Sequence, residues 1–315
     1  MTKFNLKHVY ESQQFDLQLL NTVFKIADEM KDDLLVKPRQ YANVLQDKIM
    51  ASLFYEPSTR TRFSFESAMS RLGGSILTTE NAKEFSSASK GETLYDSTSV
   101  MCGYADLIVM RHNEPGSAKM AAEVSSIPVI NAGDGSGQHP TQALLDLYTI
   151  KDHFSTIDNL TFAMVGDLKY GRTVRSLSYL LTKYNNIKIY YVSPLVCKMD
   201  EDIKNYLTTN NVEWEEASSL EKVLPLVDCV YMTRIQKERF HDLKDYESAA
   251  GKYILDMDKV NLMKEKSIIM HPLPRVDEIS KEVDDDPRAQ YFNQANNGLY
   301  VRMALLYLLL GDDSQ

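Results

Sequence analysis

The sequence predicts an α/β protein with two doubly wound domains, each built on a mostly parallel sheet flanked by helices. Three observations support this fold class. Short apolar runs alternate with stretches of helical spacing, an order typical of parallel sheets. The alternation begins again at Leu160, after a long predicted helix over 139–153. A chain of 315 residues is also long enough for two domains.

The first half of the chain supplies four predicted strands and four predicted helices. The strands cover 49–55, 75–79, 106–110 and 128–131, and the helices cover 16–35, 63–72, 91–103 and 139–153. Between two of these elements, residues 80–90 are polar and show no apolar pattern. This composition predicts an exposed loop.

The second half repeats the arrangement. Its predicted strands cover 160–165, 187–192, 227–232 and 267–270, and its helices cover 171–181 and 291–310. We expect residues 1–150 with 292–315 to form one domain and residues 151–291 to form the other.

Composition limits the classes of partner. Hydrophobic residues make up 43% of the chain and charged residues 25%, which is ordinary for a soluble globular protein. The net charge of −9 disfavours nucleic acid as a partner. It still allows small anionic substrates, because a local cluster of arginines can bind anions on an acidic protein.

The cysteines and the N-terminus indicate a reducing compartment. Cys102, Cys197 and Cys229 are far apart and form no paired motif, which disfavours a disulfide framework or a zinc site. No apolar run approaches the length of a membrane span, and no signal-type apolar segment follows Met1. We therefore expect a cytoplasmic protein without a membrane partner.

One polar segment lies between a predicted strand and a predicted helix. It contains Ser58, Thr59, Arg60 and Thr61, directly after Pro57. A helix start offers unpaired N–H groups, and hydroxyls with a guanidinium add further donors, so the segment suits a phosphate. The alternative is an ordinary helix cap with solvated arginines. The strand before it and the helix after it favour the phosphate site.

Two more polar side chains follow strand ends in the first half. Arg111 comes at the end of the strand 106–110, and His139 follows the next strand and its glycine-rich turn. In parallel α/β sheets the ligand lies beyond the carboxyl ends of the strands, so Arg60, Arg111 and His139 can converge. Pro140 suits a first helical position, so His139 could simply start a helix. We favour the interpretation that His139 donates a hydrogen bond to a substrate carbonyl.

The second half carries a near match to a nucleotide-binding loop. Residues 166–173 follow a strand and open a helix, but Arg172 stands where that motif requires lysine. Arginine does not replace a flexible point charge, so nucleotide binding is disfavoured. Two alternatives remain, namely a tight turn with a solvated arginine and a guanidinium offered to a substrate carboxylate.

A dense run of charge occupies residues 233–239. Most such runs are solvated surfaces. Arg234 and Gln236, however, are two positions apart in an extended segment and can point to one side. An arginine and an amide together suit a dicarboxylate. No motif in the sequence supports a metal ligand set or a covalent nucleophile.

Four segments together resemble the transcarbamoylase family. Residues 58–62 resemble its carbamoyl-phosphate motif, and residues 139–146 its second signature. Residues 231–239 and 271–275 resemble the aspartate-specific branch, whereas the ornithine branch usually carries a cysteine where this chain has Pro272. The motifs follow the family's order, and the resemblance covers nearly the whole chain.

The resemblance implies a reaction that needs no cofactor. Carbamoyl phosphate and L-aspartate would give N-carbamoyl-L-aspartate and phosphate, an early step of pyrimidine synthesis. It also implies roles for individual residues. The phosphate would contact Ser58, Thr59, Arg60, Thr61 and Arg111, and the carbonyl oxygen would contact Thr61, Arg111 and His139. The carbamoyl nitrogen would contact Gln142 and the backbone carbonyls of Pro272 and Leu273. The aspartate carboxylates would contact Arg172, Arg234 and Gln236.

The resemblance further implies a homotrimer with shared active sites. Ser86 and Lys90 match residues that enter the site from a neighbouring subunit, although a second lysine found in some relatives is Ser89 here. The resemblance leaves room for separate regulatory chains. Three other readings stay open: an ornithine or other transcarbamoylase, a nucleotide-binding protein, and a sensor that binds carbamoyl phosphate without turnover.

Overall fold

A computed structural model describes residues 4–237, 240 and 242–311. The chain forms two compact units, one from residues 1–145 and 296–315 and the other from residues 146–295. Each unit contains one sheet in which every pair of neighbouring strands is parallel. The predicted α/β fold with two parallel sheets is confirmed.

The first unit is built on a four-stranded sheet. Its strands are β1 (Ile49–Phe54), β2 (Ser75–Glu80), β3 (Leu107–His112) and β4 (Val129–Asp134). Its helices are α1 (Leu17–Asp33), α2 (Thr59–Arg71), α3 (Ala82–Phe85), α4 (Leu94–Met101) and α5 (Ser117–Val124), and α6 (Pro140–Phe154) continues into the second unit. The strand order is β2-β1-β3-β4, so β1 and β3 are central.

The second unit is built on a five-stranded sheet. Its strands are β5 (Thr161–Val165), β6 (Lys188–Val192), β7 (Glu213–Ala217), β8 (Cys229–Met232) and β9 (Ile268–Met270), in the order β7-β6-β5-β8-β9. Its helices are α7 (Arg172–Leu181), α8 (Glu201–Thr209), α9 (Leu220–Val223), α10 (Leu243–Ala249) and α11 (Met257–Val260), and α12 (Tyr291–Leu310) continues into the first unit.

Burial explains why the central strands were readable from sequence. The strand β1 is buried at five consecutive positions, and β8 is buried throughout, so both are apolar on two faces, as parallel strands covered by helices must be. The edge strand β7 has no fully buried residue and carries three glutamates. Its sequence shows no apolar pattern, which is why it was not predicted.

The structure corrects two predicted boundaries in the first unit. The helix predicted to start at Phe63 begins at Thr59, so the whole polar motif after Ser58 is helical. The segment 80–90, predicted as a patternless loop, contains α3 and a short 3-10 helix, Ser87–Lys90. Both are single turns, too short to show an apolar period. Among the described residues, no helix has the length and apolar content needed to cross a bilayer.

Candidate active site

The polar motif after β1 forms the first turn of a helix. Ser58 occupies the N-cap position in an extended conformation, yet its side chain makes no capping hydrogen bond. Thr59 and Arg60 are exposed, and Thr61 is 7% exposed. The helix start is therefore not capped by its own serine, and the positive end of α2 is suited to an anion.

Arg111 lies beside this helix start because β3 pairs with β1. Phe54 is in register with Arg111, and the Tyr55 N–H donates to the Arg111 carbonyl at 2.8 Å. The Arg111 guanidinium donates to a Glu56 oxygen at 2.5 Å and to the Ala132 carbonyl at 3.4 Å. Arg111 is thus held at the carboxyl ends of β1, β3 and β4, next to the turn that carries the hydroxyls.

Arg62 has a different role from Arg60. Its guanidinium donates to Glu80 at 3.0 Å and lies 3.6 Å from Glu66, whose carboxylate also accepts from Thr78. Residues two apart on a helix do not share a face, so the two arginines point to different sides. The alternative that Arg60 and Arg62 are both solvated is therefore wrong for Arg62. Its ion pair with Glu80 connects α2 to the end of β2.

His139 lies between the end of β4 and the start of α6. Its side chain is buried, with 3% exposure, and a ring nitrogen is 3.4 Å from the Thr141 hydroxyl. The Gln142 N–H donates to the His139 carbonyl at 3.0 Å, and the Gln142 side chain is also buried. His139 directly precedes α6 and Gln142 lies in its first turn, at the same sheet edge as Arg111.

Two residues that sequence reasoning missed organise the turn before His139. Asp134 accepts from the Gln138 N–H and from the Gly116 N–H, both at 2.7 Å. Asn131 accepts from the Gly133 N–H at 2.7 Å and donates to Asp134 at 3.1 Å. An Asn and an Asp flanking a glycine-rich turn are a signal for such side-chain-to-backbone bonds.

Ser86 and Lys90 lie in the segment after β2. Ser86 caps the short helix Ser87–Lys90 by accepting from the Ala88 N–H at 3.2 Å, and its hydroxyl donates to the Ala82 carbonyl at 2.5 Å. Lys90 is exposed at the end of that helix, before Gly91. The hydroxyl of Ser86 therefore has a local structural use, whereas Lys90 is an exposed residue.

In the second unit, Arg172 is the first residue of α7. It is 9% exposed, so the alternative of a solvated arginine at this turn is wrong. The preceding turn approaches β8 closely: Gly166 has a φ of +109°, and a Cβ there would lie 2.3 Å from the Thr233 carbonyl oxygen. The Asp167 N–H also donates to the Thr233 hydroxyl at 2.9 Å.

That contact fixes the turn before Arg172 against the segment that carries Arg234. Arg234 and Gln236 follow β8 in an irregular stretch and are half-buried. Their burial is what a carboxylate-binding site requires and a fully solvated charge run does not. Two residues of the predicted charge run, Glu238 and Arg239, lie outside the described residues. The carboxyl ends of the adjacent strands β5 and β8 therefore carry two arginines and an amide.

Pro272 and Leu273 follow β9, the next strand of the same sheet. Both are half-buried, and Leu273 has a φ of +54°. Left-handed backbone is uncommon for a branched side chain and tends to occur at functional sites. Apart from Ser86 and Lys90, which follow β2, the predicted residues of each unit thus lie at one sheet edge, at the ends of β1, β3 and β4 and of β5, β8 and β9, as expected for parallel sheets.

Two family models match consecutive parts of the chain. The carbamoyl-phosphate-binding domain of aspartate/ornithine carbamoyltransferases matches residues 7–152, and the aspartate/ornithine-binding domain of the same enzymes matches residues 158–309. The chain belongs to the aspartate/ornithine carbamoyltransferase family.

Individual relatives point to the aspartate branch of this family. A chloroplastic aspartate carbamoyltransferase of Arabidopsis thaliana is 58% identical over 98% of the chain and 79% of the relative. The catalytic subunit of M. jannaschii aspartate transcarbamoylase superposes with a TM-score of 0.87 at 47% identity, covering 96% of this chain and 98% of that one. A Trypanosoma cruzi aspartate transcarbamoylase, solved with carbamoyl phosphate and aspartate, gives 0.91 at 40% identity over 97% of both chains.

Proposed function

We propose that the chain transfers the carbamoyl group of carbamoyl phosphate to the amine of L-aspartate, a reaction of pyrimidine synthesis. One observation carries the choice of aspartate. Buried Arg172 and half-buried Arg234 follow adjacent strands and are tied together through the Asp167–Thr233 bond. Two guanidiniums match two carboxylates, whereas the cationic end of ornithine would require acidic groups.

The phosphate half of the reaction is proposed for the first unit. The helix start of α2 supplies Ser58, Thr59, Arg60 and Thr61, and Arg111 lies beside it through the pairing of β1 with β3. A helix N-terminus with hydroxyl and guanidinium donors favours a dianionic phosphate. His139, directly before α6, and Gln142, in its first turn, are proposed to contact the carbamoyl group.

The chemistry proposed for these residues is electrostatic. The amine of aspartate attacks a carbonyl whose leaving group is phosphate, so no cofactor is required. Thr61, Arg111 and His139 would donate to the oxygen that becomes negative, and the loss of one such donor typically costs about 10²–10³ in rate. Because Thr61 and His139 are buried, their donors act where water screens them little.

We also propose that the protein is a homotrimer in which Ser86 and Lys90 act in the neighbouring subunit. Lys90 is exposed at the end of the short helix that follows β2, and β2 is an edge strand of its sheet. The flexible side chain of Lys90 can therefore extend beyond its own subunit. We propose a reducing compartment, with the cytoplasm as the first candidate, since Cys102, Cys197 and Cys229 are all free thiols.

The test of the proposed reaction is phosphate release from carbamoyl phosphate with a panel of amines. We expect L-aspartate to be the preferred acceptor, with ornithine and D-aspartate turned over at least a hundredfold more slowly, about 3 kcal/mol of discrimination. Faster turnover with ornithine would assign the chain to the ornithine branch. Binding of carbamoyl phosphate without turnover of any amine would support a sensor.

A further inference from the structure

The backbone after β9 has an unusual conformation with a visible cause. Leu273 lies in the left-handed region, with a φ of +54°, where a branched side chain is disfavoured by the backbone itself. Such a conformation persists only where surrounding contacts hold it. The inference below rests on the proposed function, in which the carbonyls of Pro272 and Leu273 face the carbamoyl nitrogen.

The contact that holds Leu273 comes from His271. The Leu273 N–H donates to the His271 Nδ1 at 2.8 Å, and the His271 Nε2 is 2.7 Å from a Glu278 oxygen. Because Nδ1 accepts a hydrogen bond, it carries no proton, so the imidazole is neutral and its proton lies on Nε2. The side chains of His271 and Glu278 are 1% and 8% exposed, so water does not compete for these bonds.

Glu278 is itself fixed on several sides. Its second oxygen accepts from the Val276 N–H at 3.1 Å and the Asp277 N–H at 3.2 Å. Its backbone carbonyl accepts from the Leu255 N–H at 2.9 Å. Burial alone would raise the pKa of the Glu278 carboxyl, but the interactions with His271 and the hydrogen bonds from backbone N–H groups together outweigh burial, and the pKa is lowered. The carboxylate is therefore ionised and orients the imidazole.

The backbone of His271 is anchored separately. The His271 N–H donates to the Gln294 side-chain oxygen at 2.9 Å, and the Gln294 amide donates to Asp146 at 2.6 Å. Asp146 also accepts from the Tyr231 hydroxyl at 2.8 Å. A buried polar network that is hydrogen-bonded at each of these steps specifies one geometry. The position from which the imidazole reaches Leu273 is thus fixed by α6, β8 and α12.

We propose that His271 and Glu278 are positioning residues for the carbamoyl group. Glu278 holds the imidazole in the tautomer that accepts from the Leu273 N–H, and this bond keeps Leu273 in the left-handed conformation that aims the Pro272 and Leu273 carbonyls at the substrate nitrogen. The pair does not touch substrate. The affinity for a ligand that carries the carbamoyl nitrogen should therefore depend on His271 and Glu278, whereas the affinity for a ligand without that nitrogen should not.

Two ligands separate this role from a merely structural one. Phosphonoacetamide is a stable analogue of carbamoyl phosphate that keeps the amide nitrogen, and inorganic phosphate lacks it. Calorimetry would measure the Kd of each for the full chain, and steady-state kinetics would give KM and kcat. We expect His271→Ala to weaken phosphonoacetamide binding about tenfold, the scale of one hydrogen bond, and to leave phosphate binding unchanged.

Conservative variants sharpen the test. An asparagine side chain accepts from the N–H two residues ahead in many turns, so His271→Asn should recover most of the phosphonoacetamide affinity. Glu278→Gln keeps the size of the side chain and should give an intermediate loss, and it carries the test if His271→Ala does not fold. Asp286→Asn removes the carboxylate of another ion pair in the same unit, with Arg288, and should change neither affinity.

The outcomes separate the two proposals. Equal weakening of both ligands by His271→Ala, or no recovery with His271→Asn, would overturn the positioning role. A wild-type chain that binds phosphonoacetamide but carbamoylates no aspartate would overturn the proposed function, while the affinities still decide the role of the pair. A wild-type chain that binds neither ligand would overturn both.

Discussion

At Arg111, a carboxylate competes with the proposed phosphate. The guanidinium donates to Glu56 at 2.5 Å, and the two side chains are 12% and 25% exposed. This carboxylate offsets part of the positive charge that Arg111 offers to phosphate. We expect Glu56→Gln to tighten inorganic phosphate binding by up to about fivefold, since a partly exposed ion pair is worth at most ~1 kcal/mol. Calorimetry at constant pH would measure it, and weaker phosphate binding by the variant would contradict the competition.

Arg234 supports a second prediction at the scale of one residue. Replacing it with alanine would remove the proposed charged hydrogen bond to aspartate, so KM for aspartate should rise about tenfold or more and kcat should fall. Arg175→Ala is the control, because Arg175 lies on α7 in the same unit and pairs with Asp200 and Asp202. An unchanged KM in Arg234→Ala would show that another group binds the carboxylates.

The residue scale also shows where sequence reasoning stopped. Arg60, Arg111, His139, Arg172 and Arg234 were readable from the sequence, because each follows a strand end. The separation of Arg60 from Arg62 was not, because the helix was predicted to begin at Phe63 and the two arginines were treated as part of a turn. Glu56, Asp134 and Glu278 were not identified either, since a carboxylate that pairs across elements has no local signature.

At the scale of elements, the segment between β9 and α12 depends on ion pairs. The hydrogen bond from Arg288 holds the pKa of the Asp286 carboxyl below its ordinary value. A lowered pKa contributes stability that is complete above the ordinary value of about 3.9 and is lost as pH falls through the lower folded value. Asp286→Asn should therefore unfold about 2–4 °C below wild type at pH 7, with the difference closing as pH falls below the ordinary value of about 3.9.

Thermal unfolding followed by circular dichroism across pH would measure this. Asp202→Asn is the matched control, because Asp202 is 55% exposed and its pair with Arg175 should contribute little. If the unfolding temperature of Asp286→Asn stays as far below that of the wild type at low pH as at pH 7, the loss of stability comes from packing and not from charge.

Burial made the central strands readable, although the edge strand β2 was also predicted and has no buried residue. The central strands β1, β3, β5 and β8 are buried on both faces, so their apolar runs marked them. The edge strand β7 and the single turns after β2 bury too little apolar surface to leave a pattern. The same segment after β2 carries Ser86 and Lys90, which were identified only through the family resemblance.

At the scale of the whole molecule, the proposed trimer predicts complementation between two inactive variants. Arg60→Ala removes the guanidinium of every phosphate site, and Lys90→Ala removes the lysine offered to every neighbour. After dissociation and reassembly together, each mixed trimer has one interface that joins an intact Arg60 to an intact Lys90. Activity should return to roughly one site in three per hybrid, counting interfaces in a closed ring.

Native mass spectrometry would verify that hybrids form, and phosphate release would measure their activity. Each variant reassembled with itself is the control and should stay nearly inactive. Hybrids that form without any recovery would show that Lys90 serves its own subunit or is a solvated surface residue.

The central claim is that this chain carbamoylates aspartate. Its most direct measurement is a competition reaction with ¹³C-labelled carbamoyl phosphate and equal concentrations of L-aspartate and L-ornithine, with the products resolved by mass spectrometry. Arg172 and Arg234 in the second unit predict labelled N-carbamoyl-L-aspartate in at least a hundredfold excess, a free-energy difference of about 3 kcal/mol. Labelled N-carbamoylornithine as the main product, or no labelled product beyond hydrolysis, would contradict it.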